Sequence, residues 1–286
     1  MQKLSISIVI PAKNEAENLR AFLPRLRAVM PHAECIVVDD GSTDDSIAIC
    51  AANNVTVVSH PYSKGNGAAI KTGAKAANGE IIVFLDGDGQ HKPEDIPAMI
   101  AELDKGYDMV VGARDKASQA DSFRAFANGI YNWLASSITG HAIKDLTSGF
   151  RVVRAHKFRE FLYLLPNGFS YPTTCTMAFF RAGYSVGYIP IQTETRLGQS
   201  HISLYKDGIR FLLIIFKVGT LYSPLKIFLP ASAGFFITGC GYYLYTFVSE
   251  GRFTNMSAVL FMTAILVFLI GLVSEQVTAL MYKDSN

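Results

Sequence analysis

Ile81-Ile82-Val83-Phe84-Leu85-Asp86-Gly87-Asp88-Gly89-Gln90-His91 is an apolar run that stops on two acids. Consecutive Ile, Val, Phe and Leu bounded by turn formers predict a strand buried on both faces. Asp86 and Asp88 stand two apart, so an extended backbone points both carboxylates the same way. Like charges placed side by side are costly unless a cation neutralises them. Hard oxygen donors favour Mg²⁺ or Mn²⁺, which commonly bridge carboxylates and phosphates. Gln90 offers a further neutral oxygen and His91 a nitrogen or a hydrogen bond. Asp and Gly also build ordinary turns, so the meaning of the motif depends on its neighbours.

Outward from this run the same pattern recurs. Leu4–Ile10, Glu34–Asp39, Val55–Val58, Glu80–Leu85 and Asp108–Val111 predict strands, and Glu15–Val29, Ser42–Ala52, Gly67–Ala77 and Glu94–Leu103 predict helices between them. Asp44, Glu94 and Asp95 fall near helix starts, where the dipole favours acids. Strand alternating with helix predicts an α/β domain with a mainly parallel, Rossmann-like sheet covered on both faces. Ligands of such sheets sit at the carboxyl ends of the strands. At those ends lie Pro11-Ala12-Lys13-Asn14-Glu15 and Asp39-Asp40-Gly41-Ser42-Thr43-Asp44, the latter supplying acceptors for a base or ribose and a helix N-cap. Lys64-Gly65-Asn66-Gly67 opens a helix, where backbone N–H groups and one lysine can meet phosphate. Four polar turns at one sheet edge point to a site rather than to four unrelated turns. Residues 113–200 read as more irregular, with one further strand over Ser185–Ile191.

The chain has 286 residues, of which 50% are hydrophobic and 17% charged. A net charge of +2 gives no argument for nucleic acid. Cys35, Cys50, Cys175 and Cys240 are scattered, without metal-ligand spacing, and read as reduced thiols of a cytosolic domain. Lys3 leads directly into a strand, so no cleaved signal peptide is expected. The grease concentrates after Ser200. Lys226–Val248 and Ser257–Met281 are long enough to cross a bilayer, and the short polar link Ser249–Met256 makes them a hairpin. Leu260–Val273 has no polar face, which argues against buried helices of a soluble protein. Lys206, Arg210, Lys217 and Lys226 precede the first span and Lys283 follows the second, against Arg252 alone in the link. The positive-inside rule then puts the N-terminal domain and the C-terminus in the cytosol, as a multi-pass protein of the cytoplasmic membrane. Positions 206, 210, 213 and 217 share a helical face carrying three cations, which predicts an interfacial helix over 201–225 or, in the blander reading, a solvated face of a domain helix. Gly234, Gly239 and Gly241 permit close helix contact and leave a homo-oligomer open. Glu275 is an expensive residue within a span.

As a set, these residues resemble the family-2 glycosyltransferases, which have the GT-A fold. The likeness is strongest to the branch that loads a sugar onto a polyprenyl phosphate, undecaprenyl or dolichyl. It runs in order through Ile8–Glu15, Val38–Asp44, Lys64–Gly67, Asp86–His91, Gly112-Ala113-Arg114, Thr147-Ser148-Gly149-Phe150-Arg151 and Arg196-Leu197-Gly198-Gln199-Ser200. The paired C-terminal spans also look like those of membrane-anchored members. The resemblance implies a domain over residues 1–200, an interfacial helix over 201–225 and spans over 226–248 and 257–281. It implies that Pro11, Ala12, Asn14, Glu15, Asp39, Asp40, Gly41, Lys64, Gly67, Asp86, Gly87, Asp88 and Ser200 bind a nucleotide-sugar. Asp86, Asp88 and Gln90 would hold the metal. Arg114, Arg124 and Arg196, with Asp88, would be the catalytic groups, the arginines meeting donor or acceptor phosphates through their forked donors. Where the family often carries lysine after the serine of its Arg-x-x-Gly-x-Ser segment, this chain has His201.

Rival readings stand beside this one. A processive polysaccharide synthase carries Gln-x-x-Arg-Trp, whereas the one tryptophan here lies in Tyr131-Asn132-Trp133-Leu134. A nucleotidyltransferase has a glycine-rich first loop, which does not follow Ile10. A family-2 enzyme with another acceptor, and a membrane-tethered sugar-nucleotide-binding scaffold without turnover, both remain open at this point.

Overall fold

The computed structural model describes residues 4–114, 122–168, 170–193, 216, 219–220 and 222–281. The chain forms two compact units, Met1–Leu204 and Tyr205–Asn286.

The first unit is built on seven strands: β1 (Ile6–Ala12), β2 (Glu34–Asp39), β3 (Thr56–Ser59), β4 (Ile81–Phe84), β5 (Met109–Arg114), β6 (Arg151–Arg154) and β7 (Val186–Ile191). Their order across the sheet is β3-β2-β1-β4-β6-β5-β7. Every pairing is parallel except those of β6, which runs antiparallel to both β4 and β5. Helices α1 (Ala16–Val29), α2 (Ser46–Ala52), α3 (Asn66–Ala76), α4 (Ile96–Leu103), α5 (Ser122–Thr139), α6 (Ala155–Arg159) and α7 (Tyr171–Arg181) connect and cover the strands. Ile8 and Ile10 of β1 join Leu19, Phe22, Leu23 and Leu26 of α1 and Met99 and Leu103 of α4 in one buried cluster. Their neighbour in sequence, Val9, faces α3, as the two-residue alternation of a strand requires.

The periodic first half follows the sequence expectation closely. α2 begins at Ser46 rather than Ser42, because Ser42 and Asp44 are used to tie loops: Ser42 N–H donates to Asp39 Oδ1, and Asp44 accepts from Ser46 N–H. The second half departs from it. Strand β6 and helices α5, α6 and α7 fall where the sequence reads as irregular. Arg151-Val152-Val153-Arg154 is only four residues long and has a charge at each end, so no apolar run announces it.

In the second unit two 27-residue helices, α8 (Pro224–Glu250) and α9 (Asn255–Met281), are long and apolar enough to cross a membrane, with mean hydropathy of 1.3 and 2.7. Helix α8 ends on Gly251 in the left-handed conformation. Past Pro224 at the start of α8, the buried positions recur every seven residues, Ser232, Gly239 and Thr246 on α8 and Ser257, Ala264, Gly271 and Thr278 on α9. A seven-residue seam of small side chains lets two helices pack closely. Ser232 Oγ donates across it to the Ala264 carbonyl at 2.7 Å. Gly239 belongs to this internal seam, whereas a side chain at Gly234 or Gly241 would meet nothing within 4 Å. Glu275 has an internal task as well. Its carboxylate accepts the Leu225 N–H at 3.1 Å, at the first turn of α8, where amides have no helical partner. The interfacial helix expected over 201–225 lies almost wholly outside the described residues.

Glu275 therefore caps one helix of the hairpin from the other. Glu275→Ala is expected to lower the unfolding free energy of the detergent-solubilised chain by about 1 kcal/mol, the usual value of a lost cap. Glu275→Gln keeps an acceptor and should lose less. Denaturant titration measures both, and an alanine variant as stable as the parent would show that the cap contributes nothing.

Candidate functional site

A cleft of about 460 Å³ opens at the carboxyl ends of β1, β2 and β4. One wall is Pro11, Ala12, Lys13 and Glu15 after β1, with Asp40 after β2. The floor carries Asp86, Gly87 and Asp88 after β4, and the opposite wall is Thr147, Gly149, Tyr171 and Pro172. Ser63, Gly65, Asn66 and Ala69 close one end. Of the residues expected to bind nucleotide-sugar, Pro11, Ala12, Glu15, Asp40, Asp86, Gly87 and Asp88 line this space.

The neighbouring acids Asp39 and Asp40 have separate tasks. Asp39 is buried and accepts the Ser42 N–H at 3.0 Å, shaping its own turn. Asp40 reaches a different segment. It accepts from the amides of Lys64 and Gly65 at 2.8 and 2.9 Å and from Ser63 Oγ at 2.7 Å, while its Oδ1 lies 2.7 Å from His60 Nδ1. Burial opposes its charge, but these bonds outweigh burial and hold its pKa down to about 2. Asn14, left-handed at φ 54°, ties the loop after β1 to the turn after β2: its N–H donates to Ser42 Oγ and its Oδ1 accepts from Thr43 N–H.

The turn at Lys64–Gly67 is arranged differently from the phosphate loop that its sequence suggests. Its amides at Lys64 and Gly65 are taken by Asp40, and the Ala68 N–H donates to the Asn167 carbonyl at 3.1 Å. A Cβ at Gly67 would sit 2.1 Å from the Pro166 carbonyl oxygen. The glycines are there because another loop crosses them. Lys64 and Gly67, like Asn14, Asp39 and Gly41, lie off the cleft lining.

Asp86 and Asp88 share the floor. The Gln90 N–H donates to Asp88 Oδ1 at 3.1 Å, and the Gln90 side chain is not part of the lining. His91 is buried beneath, its ring 5.2 Å from Phe150, and its Nδ1 accepts the Asp86 N–H at 3.4 Å. Burial pushes its pKa down to about 4 against the pull of the Asp88 charge, so the ring is neutral at pH 7. A Cβ on Gly149 would lie 2.4 Å from Asp86 Oδ2, so this wall reaches the carboxylate only because residue 149 has no side chain. Among the described residues no three His, Cys, Asp or Glu side chains gather into an all-protein metal cage. Two hard carboxylates at the floor of an open cleft fit the oxygen-donor chemistry of a divalent cation. Asp86 and Asp88 are the residues that would hold it.

Arg114 ends β5 and is committed to the far wall. Its guanidinium grips Asp145 through Nε at 2.8 Å and Nη2 at 3.0 Å, and Nη2 also donates to Thr147 Oγ1 at 2.6 Å. Burial acts against the Asp145 charge, but the hydrogen bonds and charge of Arg114, with the Thr147 amide, more than compensate and lower its pKa. Arg114 thus shapes the wall beside the acids. Arg196 and Ser200, and the side chain of Arg124, lie outside the described residues. Sequence reasoning did not single out Asp145, Thr147, Gly149 or Tyr171 as a wall, although Thr147-Ser148-Gly149 stood in a quoted motif.

Known proteins match the chain in both units. The Glycosyl transferase family 2 profile matches residues 7–181, and the GtrB C-terminal hairpin profile matches residues 223–280. An undecaprenyl-phosphate 4-deoxy-4-formamido-L-arabinose transferase from Photorhabdus laumondii is 37% identical over 161 residues, 53% of this chain and 49% of that protein. The Proteus mirabilis protein of that name is 34% identical over the same shares. The chain spans about half the length of these relatives. Among solved structures, glucosyl-3-phosphoglycerate synthase from Mycobacterium tuberculosis with phosphoglyceric acid superposes with a TM-score of 0.62 at 20% identity, covering 75% of this chain and 80% of that one. The same enzyme with Mn²⁺, UDP and glucosyl-3-phosphoglycerate gives 0.60 at 22% identity, covering 74% and 77%. At this identity the likeness concerns the fold.

The Asp40 bonds carry a pH signature. Its carboxyl is held at about 2 against an ordinary 3.8, so the unfolded chain binds more protons between those values. Its contribution is complete above the ordinary value and is lost as pH falls from about 4 towards 2. Asp40→Asn should cost about 1–3 kcal/mol at pH 7, as buried acceptors and donors lose partners, and should flatten that acid limb. Unfolding measured between pH 2 and pH 7 checks both; an unchanged acid limb would remove Asp40 from this role.

Proposed function

This chain belongs to glycosyl transferase family 2, and from that membership we propose that it transfers a sugar from a UDP- or GDP-linked donor to a polyprenyl phosphate at the cytoplasmic face of a membrane. The observation that carries the reading is the union, in one chain, of a two-carboxylate cleft with a hairpin of the GtrB type. The cleft suits a nucleoside diphosphate. The hairpin suits an acceptor that lives in a bilayer, and relatives of this chain are named for undecaprenyl-phosphate sugar transfer.

In this reading Pro11, Ala12 and Glu15 receive the base and ribose, and the diphosphate lies over Asp86 and Asp88. Mg²⁺ or Mn²⁺ held there would supply charge neutralisation for the leaving diphosphate. The acceptor phosphate oxygen attacks the anomeric carbon from the face opposite the nucleoside diphosphate, the new C–O bond forming as the old one breaks with inversion. That oxygen is already anionic near pH 7, so no side chain has to remove a proton from it. The work of the protein is to align two polyanions and to hold a wall against the acids. Arg114, Arg124 and Arg196 are proposed to meet donor or acceptor phosphates, and Ser200 to contact the nucleotide-sugar. Lys206, Arg210, Lys217 and Lys226 before the first span and Lys283 after the second, against Arg252 in the link, support a cytosolic catalytic unit.

A panel of UDP- and GDP-sugars, with Mg²⁺ or Mn²⁺ and undecaprenyl or dolichyl phosphate, tests the assignment through release of nucleoside diphosphate. Asp88→Ala should lower turnover by about 100-fold or more, the order expected when transition-state charge loses its partner, with the thermal midpoint retained. Near-parental turnover in that variant would defeat the metal assignment. No release from any donor would favour a tethered binding scaffold.

A further inference from the structure

Arg151 is a cation in the interior. It opens β6 and is fully shielded from solvent. Its hydrogen bonds go to uncharged partners: the Ser148 carbonyl at 2.8 Å, the Leu146 carbonyl at 3.2 Å, Thr176 Oγ1 at 2.7 Å and, more weakly, Met109 Sδ at 3.7 Å. Burying a charge without a direct counterion costs several kcal/mol, and an apolar residue of similar size would fill the space more cheaply. What the guanidinium gains is geometry, because its rigid fork fixes two carbonyls of one loop and a hydroxyl of α7 at once.

That loop is the cleft wall. Arg114 holds it from one side through Asp145, and Arg151 holds it from beneath through its backbone. The Ser148 hydroxyl is buried without a hydrogen-bond partner, so at this residue the hold is on the carbonyl and not on the side chain. The next residue is Gly149, which packs so closely on the Asp86 carboxylate that a methyl group there would overlap Oδ2. Tyr171 Oη, 3.4 Å from the Gly149 carbonyl, closes the wall from α7, the helix to which Arg151 also reaches through Thr176.

We propose that Arg151 is a positioning residue for metal and diphosphate binding: by gripping the Leu146 and Ser148 carbonyls it sets Gly149 against Asp86 and so fixes where that carboxylate rests. The inference rests on the reading of the cleft as a nucleoside-diphosphate and metal site. It distinguishes two walls. The wall made by Pro11, Ala12 and Glu15 is independent of Arg151, whereas the orientation of Asp86 depends on it.

Titration of the detergent-solubilised chain with UDP and with GDP, each with and without Mn²⁺, tests this. Arg151→Lys retains the charge but loses the fork. It should weaken Mn²⁺-dependent nucleotide binding by about tenfold while changing metal-free binding by less than about twofold, since a small misplacement of a ligand group is costly only where that group acts. Thr176→Val removes one anchor and should shift the same quantity in the same direction by about threefold; it decides the matter should Arg151→Lys fail to fold. Parental binding in the variants, or equal weakening with and without Mn²⁺, would make Arg151 a core residue only. A parent chain that binds Mn²⁺ and nucleotide but transfers no sugar would overturn the proposed reaction while leaving the binding comparison to decide the role of Arg151. A parent that binds neither nucleotide would overturn both.

Discussion

Strand β6 runs against its neighbours, and the cleft follows from that reversal. In a parallel sheet every strand brings only its carboxyl end to the ligand edge, so all connections there leave a strand. An antiparallel strand inserted between β4 and β5 brings its amino end to the same edge. The loop that enters β6, Asp145 to Phe150, is thereby set beside the loop that leaves β4, Asp86 to His91. Phe84 and Val111 both pair in register with Arg151, so the acids of one strand and the wall entering the other begin from one level of the sheet.

Acidic side chains divide into those that build this edge and those that face it. Asp39, Asp40, Asp44 and Asp145 each accept backbone N–H groups, and each ties a loop whose path is otherwise undetermined. A carboxylate that accepts amide hydrogen bonds stays ionised at lower cost, which lets Asp39, Asp40 and Asp145 be buried. Asp40 also borders the cleft, but Asp86 and Asp88 stand two residues apart on its floor, beside a wall that reaches Asp86 only through a glycine. The same residue type thus serves structure and binding, and the distinction lies in what surrounds each oxygen.

This division explains what the sequence disclosed. The strands and helices up to Val111 were legible because their apolar periodicity is local, and the cleft floor was legible because Asp86 and Asp88 follow the most apolar of those strands. The wall was not. Arg151 looks like a surface charge at the end of a short Val-Val pair, and only tertiary structure shows it buried. Lys64–Gly67 has the composition of a phosphate loop, yet its glycines answer to Pro166 and Asn167, about a hundred residues away in sequence. Glycine signals close approach of something. It does not say whether that something is a ligand or another part of the chain.

The hairpin shows the same limit from the other side. Hydropathy marks two helices that are long and apolar enough to cross a membrane. It does not reveal their seam, since in lipid an apolar surface gives helices no reason to face one another. Facing is decided instead by small residues at seven-residue spacing and by a few polar groups that find partners, Ser232 with the Ala264 carbonyl and Glu275 with the first turn of α8. An acid within a span need not mark a transport path or an oligomer contact. Here Glu275 accepts from an amide at the amino terminus of α8, where helical N–H groups have no partner of their own, and so ties the start of α8 to the last turns of α9.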